Sequence, residues 1–299
     1  MSNQKKYFIE EFNKNLYFNE KLSKYSWFNI GGKAKIFFKP DSEKQLETFL
    51  KKNDEEITII GAGSNILIRD GGIKGVTIKL SAKFSYLELI NDKIIKVGAA
   101  TLDKKFSNFA AENCLSGFEF LSCIPGSIAG GIRMNCGCYG HEISENLISI
   151  MTINSAGNKK EILKKDINFF YRGSNLDKNL IILSAKFKGK AGNKSSITKK
   201  QLELLGNKKK TQPTQVKTSG STFKNPKNKK AWKLINISGC KSMTVGGAKI
   251  SEKHCNFFIN NGQATSTEME DLIKKVKKKV FEKTGTKLEL EIKIIGDSI

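Results

Sequence analysis

The sequence predicts an α+β chain in two domains, and three observations predict it. Its 299 residues, 38% of them hydrophobic, are enough for one large core or two ordinary ones. Apolar runs of strand length come in groups, without the regular strand–helix alternation of a doubly wound sheet. A stretch rich in Lys, Gly, Asn, Ser and Thr at 188–230 separates two patterned regions and puts a boundary near 190–215.

The elements follow in chain order. AKIFFK at 34–39 reads as a strand ending at Pro40, and 42–52 has helical apolar spacing. ITII at 57–60 reads as a buried strand and runs into the turn Gly61-Ala62-Gly63-Ser64-Asn65. ILI at 66–68, GVTIKL at 75–80 and KIIKVGA at 93–99 read as further strands, with a short helix from Leu102 to Glu112. ISIMTIN at 148–154 and LIILSAKF at 180–187 complete the strands of the first region. A helix ends at Leu205, and Lys208–Lys210 with Gln212-Pro213 mark a turn out of it. In the second region, Met269, Leu272, Ile273, Val276 and Val280 share one face of a helix at 267–283. Thr267 and Glu270 read as its capping box and Gly285 as its stop. Lys274, Lys275 and Lys277–Lys279 line its other faces as a solvated surface. The final LELEIKII reads as a period-2 strand, with Leu288, Leu290, Ile292 and Ile294 on one face and Glu289, Glu291 and Lys293 on the other.

Charge is the loudest compositional signal: 52 Lys+Arg against 29 Asp+Glu, a formal net of +23. Nucleic-acid binding is the reading it invites. The charge is spread along the chain and nearly all of it is lysine, with arginine only at 69, 133 and 172. Base and phosphate readers favour arginine forks, and no helix-turn-helix, zinc finger or RNA-binding strand pair is visible. No nucleic-acid partner is therefore expected. The distribution has one conspicuous gap: the 53 residues between Lys105 and Lys159 contain no lysine, where about nine would be expected at the average density. Lysine is hard to bury, so this segment reads as interior or as wrapped around something. Six cysteines (114, 123, 136, 138, 240, 255) form neither a disulfide framework nor a zinc spacing, since Cys136 and Cys138 are too close in sequence. No metal is expected. No run of about 18 apolar residues is present, and Met1 to Phe12 lacks the apolar core of a secretory leader. A reduced, cytoplasmic chain that does not enter a membrane is the expectation, and a monomer.

Two glycine clusters carry the functional signal. The turn at 61–65 follows a strand, but the third glycine of a dinucleotide fingerprint is replaced by Ile66, and a strand follows where a helix is needed. Glycines can still aim successive N–H groups inward as an anion nest, with Ser64 and Asn65 adding side-chain donors. The second cluster, Pro125-Gly126-Ser127 with Gly130-Gly131, Asn135 and Gly137, lies inside the lysine-free segment. Small, uncharged, glycine-rich chain reads as backbone brought close to a ligand, and two such elements can sandwich an extended dinucleotide.

Beyond these clusters the motifs resemble one family. They are WFNIGG (27–32), IIGAGSNILIRDGG (59–72), GFEFLSCIPGSIAGGIRMNCGCYG (117–140) and YRGS (171–174), then SGSTFKNP (219–226), LINISGCKSMTVGGAKISEKHCNFFIN (234–260) and LELEIKIIG (288–296). In this order they resemble the UDP-N-acetylenolpyruvoylglucosamine reductase (MurB) family of peptidoglycan precursor synthesis, over about 21–296. The resemblance implies an FAD-binding domain of the PCMH/vanillyl-alcohol-oxidase type at 21–190 and a smaller MurB C-terminal, substrate-binding α+β domain at 200–296. It implies that Gly61, Ala62, Gly63, Ser64 and Asn65, with Pro125, Gly126, Ser127, Gly130, Gly131, Asn135 and Gly137, hold FAD. Cys123, Cys136 and Cys138 stand where the family more often has Gly or Ala, and a small apolar thiol fits there.

The family's reaction reduces an enolpyruvyl ether to a lactyl ether, with NADPH reducing FAD first and hydride then reaching C3 of the substrate. Negative charge beside the carboxylate must be stabilised and a proton delivered to C2. By resemblance Ser221 in GSTF gives that proton. Arg172 in YRGS, whose planar fork suits a carboxylate, stabilises the enolic charge together with Glu291 in LELEI. Lys224 and Asn225 match positions that contact the UDP part, and Lys suits a diphosphate as a point charge. His254 reads as structural. Ser221 follows Arg172 by only 49 positions. Longer members insert a Tyr-bearing loop there, so the chain resembles the shorter subclass. A flavin oxidase acting on another 2-hydroxy acid or sugar is the rival enzyme reading, against which the YRGS, GSTF and LELEI set argues.

Overall fold

The computed structural model describes residues 11, 12 and 14–299. All but the last two residues of the Met1 to Phe12 stretch, read above for a leader, lie outside the described residues. In chain order the main elements are strands β1 (Leu16–Lys21) and β2 (Lys33–Phe38), helix α1 (Glu43–Lys52), and strands β3 (Ile57–Ile59), β4 (Ile66–Ile68), β5 (Ile73–Ile78), β6 (Leu87–Asn91) and β7 (Ile94–Gly98). Helices α2 (Asp103–Glu112) and α3 (Ile128–Arg133) follow, then β8 (Leu147–Ile153), β9 (Lys159–Leu163), β10 (Ile181–Lys188) and helix α4 (Lys194–Thr211). The chain closes with α5 (Ala231–Ile237), β11 (Thr244–Val245), β12 (Ala248–Ile250), β13 (Phe258–Asn260), α6 (Ser266–Thr284) and β14 (Lys293–Ile295).

Two compact units result, and they are interleaved in sequence. One takes 1–18, 36–62 and 75–207; the other takes 19–35, 63–74 and 208–299. The boundary read near 190–215 is therefore one of several crossings, and one crossing falls inside the glycine turn, between Ala62 and Gly63.

The first unit holds a five-stranded antiparallel sheet in the order β9-β8-β10-β7-β6. Its inward positions alternate, as a half-buried sheet demands: Ile95, Val97, Ile150, Ala185 and Phe187 are all buried in one cluster. That cluster also takes Phe106 and Ala110 from α2, Phe118 and Leu121 from the following turn, and Ile128 and Ile132 from α3. The lysine-free segment is thus largely core, which is why it tolerates so little charge. A second cluster in the unit packs Phe12, Phe38 and Phe49, with the rings of Phe38 and Phe49 stacked at 3.9 Å. Beside it β3 runs parallel to β5, with Ile57 opposite Val76 and Ile59 opposite Ile78.

The second unit is built around α6. Its buried stripe of Met269, Leu272, Ile273, Val276 and Val280 packs with Phe28, Leu67, Phe223 and Phe258, as the periodicity predicts. The cap lies two residues earlier than the reading above. Thr265 is the N-cap, its side chain accepts from the Glu268 amide, and Glu268 returns the bond in a capping box. Thr267 and Glu270 serve elsewhere: the Thr267 amide donates to Asp70, and Glu270 takes a bidentate pair from Arg69 at 2.8 and 3.0 Å. Gly285 adopts φ +66° and ends the helix as expected. Thr265→Ala removes one arm of the box, so a loss of about 1 kcal/mol in denaturant-unfolding stability is expected.

Two other elements differ from the sequence reading. Helix α4 continues through Lys208–Lys210 to Thr211, because those lysines are good helix formers and are solvated. The C-terminal strand is regular only over Lys293–Ile295, paired in parallel with β4. Upstream the predicted alternation holds only in part: Leu288 and Ile292 are buried and Glu289 exposed, but Leu290 and Glu291 are both half-buried. Among the described residues no helix is long and apolar enough to cross a membrane.

Candidate active site

The residues expected to act lie in both units, and each group has its own geometry. In the first unit, Ser127 fronts the second glycine cluster. A Cβ placed on Gly61 would meet only the Ser127 hydroxyl, at 3.0 Å, and one on Gly130 only the same hydroxyl, at 3.7 Å. Among the described residues no backbone atom forces either glycine; a Cβ on Gly61 would crowd the Ser127 hydroxyl, and one on Gly130 would only touch it. Gly63 is the opposite case. It sits at φ +76° and a Cβ there would lie 1.8 Å from the Tyr25 carbonyl oxygen, so the turn itself requires glycine. A flat or extended group with phosphates fits a cradle whose walls are backbone and one hydroxyl.

The short helix α3 is not the anion site. Its first amides are already spent, Ile128 N–H on the Thr101 carbonyl at 3.0 Å and Ala129 N–H on that of Ala99 at 3.1 Å. At the first cluster the turn runs into strand β4, as expected, so no helix N-terminus follows it either. Asn135, read as a cofactor contact, is fully buried, with φ +42°. Its side-chain amide donates to Glu142 at 2.6 Å and to the Phe170 carbonyl at 3.3 Å, so it braces the segment from within. A Cβ at Gly137 would fall 2.1 Å from the His141 carbonyl, which makes that glycine a packing requirement. Arg172 is half-buried at φ +59°. Its Nη2 donates to the Gly137 carbonyl at 2.8 Å and its guanidinium lies over the Tyr171 ring at 4.8 Å. The predicted arginine and the predicted flavin segment are therefore in direct contact.

Two residues of this unit escaped the sequence reading. Asp103 opens α2, is fully buried, and among the described residues neither carboxylate oxygen has a hydrogen-bond partner. Burial pushes its carboxyl up to about 8. A side chain at Gly131 would meet Cys136 Sγ at 2.9 Å and Asp103 Oδ1 at 3.4 Å, so thiol and carboxyl flank that glycine. Burial first, and then the Asp103 charge, also push the Cys136 thiol well up, which makes it unreactive. Lys79, the second, donates from its ammonium to the Gly61 carbonyl. Nothing in GVTIKL beyond a lysine closing an apolar strand could have flagged it.

In the second unit Ser221, Glu291 and Asn65 come together. Ser221 pairs with Phe257 in a single antiparallel bridge, and Phe223 with Leu290 in another. The chain at 221–224 is thereby laid along 289–291. Glu291 N–H donates to the Thr222 carbonyl at 2.9 Å, and Lys224 N–H to that of Glu289 at 2.9 Å. The Asn65 side-chain amide donates to the Glu291 carbonyl at 3.2 Å, while Lys293 N–H donates to the Asn65 carbonyl at 2.9 Å. Asn65 and the terminal LELEI segment are thus one hydrogen-bonded assembly. Lys224 Nζ stands 3.7 Å from Glu289. Asn225 Oδ1 accepts from the Ala231 amide at 3.0 Å and so caps α5. His254 is held as a structural residue: its ring packs on Phe257 at 4.8 Å and Trp232 at 6.1 Å, its Nδ1 accepts from the Asn256 amide, and burial lowers its pKa.

Two glycine clusters on an α+β frame are what a flavin-binding class of protein would carry. Residues 34–162 match the model of an FAD binding domain, and 212–295 match the UDP-N-acetylenolpyruvoylglucosamine reductase C-terminal domain. The chain is 48% identical over 277 residues to UDP-N-acetylenolpyruvoylglucosamine reductase of Rickettsia bellii, covering 92% of each chain. It is 47% identical over 293 residues to that of Pelagibacter ubique, covering 96% of this chain and 97% of the relative. The solved UDP-N-acetylenolpyruvylglucosamine reductase (MurB) of Thermus caldophilus superposes with a TM-score of 0.82 at 29% identity, over 93% of this chain and 97% of that one. The chain belongs to the UDP-N-acetylenolpyruvoylglucosamine reductase family, and is a flavoprotein oxidoreductase with an FAD-binding domain and a MurB C-terminal domain.

Proposed function

We propose that the chain reduces UDP-N-acetylglucosamine enolpyruvate to UDP-N-acetylmuramate, a step of peptidoglycan precursor synthesis, as the UDP-N-acetylmuramate dehydrogenase of a cytoplasm. NADPH is the reductant, 21–190 is the FAD-binding domain, 200–296 is the substrate-binding domain, and the working unit is a monomer. Bound FAD supplies hydride transfer, from NADPH and then to C3 of the substrate. Gly61 and Gly130 leave room for it beside Ser127.

The observation that carries this reading is the assembly in which Glu291 N–H is bonded to the Thr222 carbonyl, next to Ser221. A proton donor and an acid on adjoining chains are what an enolic intermediate needs as charge gathers beside its carboxylate. Ser221 delivers the proton to C2. Glu291 and Arg172 stabilise the enolic oxygen, and Lys224 meets the diphosphate of UDP. Backbone bonds hold Ser221, Lys224 and Glu291 relative to one another before substrate arrives, so little reorganisation among these three is left for the reaction.

The direct test is NADPH consumption with and without the enolpyruvyl UDP-sugar. Consumption that rises with the sugar, and yields the lactyl ether, is expected; consumption indifferent to it overturns the reading. A second result is expected at Arg172. Arg172→Lys keeps the charge and loses the planar fork, so turnover should fall by about 10²-fold. FAD content should stay that of the parent, read from flavin absorbance.

A further inference from the structure

Lysine charge in this protein is usually answered by a carboxylate or left in water. Lys51 pairs with Glu47, Lys159 with Glu43 and Lys186 with Glu161. Lys79 and Lys39 do neither. Both are half-buried, and among the described residues neither forms an ion pair. They close adjoining strands, since Lys79 N–H donates to the Phe38 carbonyl at 3.0 Å. The Lys79 ammonium reaches the carbonyl of Gly61, the residue that opens the glycine turn. That residue lies against the Ser127 hydroxyl, which a Cβ on it would meet at 3.0 Å. Burial, and then the neighbouring Lys39 charge, hold the Lys79 ammonium below its ordinary value. A carbonyl dipole answers only part of such a charge, so an anion placed there would offset both costs.

We propose that Lys79, backed by Lys39, is the phosphate-neutralising charge of the FAD site. FAD carries a diphosphate; riboflavin has the same isoalloxazine and no phosphate. The proposal rests on the chain binding FAD, and the two can fail separately.

The test titrates the full-length, flavin-stripped protein with FAD and with riboflavin, following flavin fluorescence, for the parent, Lys79→Gln and Lys79→Arg. Lys79→Gln should weaken FAD by about tenfold or more and riboflavin by less than about twofold, while Lys79→Arg stays within about threefold of the parent. Raising salt should weaken FAD less steeply in Lys79→Gln than in the parent, because one exposed-phase attraction is already gone. Equal weakening of FAD and riboflavin would make Lys79 a prop of the turn only and overturn the proposal. Unchanged FAD affinity would do the same, and so would equal salt slopes should riboflavin bind too weakly to titrate. A parent protein that takes up no FAD would instead sink the flavoprotein reading.

Discussion

Ser221→Ala should leave NADPH-driven bleaching of the flavin at the parental rate and slow its reoxidation by the enolpyruvyl sugar by about 10³-fold. The separation follows from what the side chain does. A hydroxyl is a poor acid, so it gives up a proton only to an enolate formed beside it, and the first half-reaction forms none. The substitution is also gentle on the fold. Thr222 N–H donates to the Asn256 carbonyl at 2.8 Å and the Thr222 carbonyl accepts from Glu291, and both bonds are main chain. Single-turnover absorbance measurements of the two half-reactions read the split. Equal loss in both would remove Ser221 from the proton path.

Asp103→Asn should change how stability depends on pH. In the unfolded chain this carboxyl ionises near its ordinary 3.8; in the fold, burial keeps the proton on until about 8. Between those values the folded state binds the extra proton, so folding loses stability as pH rises from about 4 to about 8 and levels off above. The slope is at most about 1.4 kcal/mol per pH unit. Because Asp103 begins α2, the helix N-terminus favours the charged form and trims this by up to about 1 kcal/mol. Roughly 3 kcal/mol between pH 5 and 8 is the expected contribution of this one group. Asparagine does not titrate, so denaturation curves of variant and parent should converge at acid pH and separate in the variant's favour toward pH 8. Parallel profiles would mean the carboxyl ionises normally.

Much of the frame was legible because each signal was local. The apolar stripe of α6 has a 3.6-residue period that survives any context, and the lysine gap marks a core segment by exclusion. The cap of α6 was misplaced because two Thr-x-x-Glu spacings overlap at Thr265 and Thr267, and only the fold gives Glu270 to Arg69. The terminal strand was overextended because alternation records burial, whereas regular pairing depends on a partner more than 200 residues away. Ser221, Arg172 and Glu291 were singled out through their motifs alone. The side-chain hydrogen bonds of Asn65 and Asn135 to carbonyls of their own chain were invisible in the sequence, where Asn65 read as a side-chain donor to a ligand and Asn135 as part of the segment that holds FAD. Asp103 and Lys79 gave no warning, since an acid at a helix start and a lysine after a strand are ordinary until burial is known.

The interleaving of the two units bears on how the protein is born. Strand β4 at 66–68 finds its parallel neighbour only at 293–295. During synthesis the early residues of the C-terminal unit must therefore wait, unpaired, until almost the whole polypeptide has left the ribosome. Closing a loop of that size costs entropy that grows only slowly with length, but it delays the nucleus. The Thr222–Glu291–Asn65 assembly belongs to this late step, so the segment that carries Ser221 and Glu291 is ordered last.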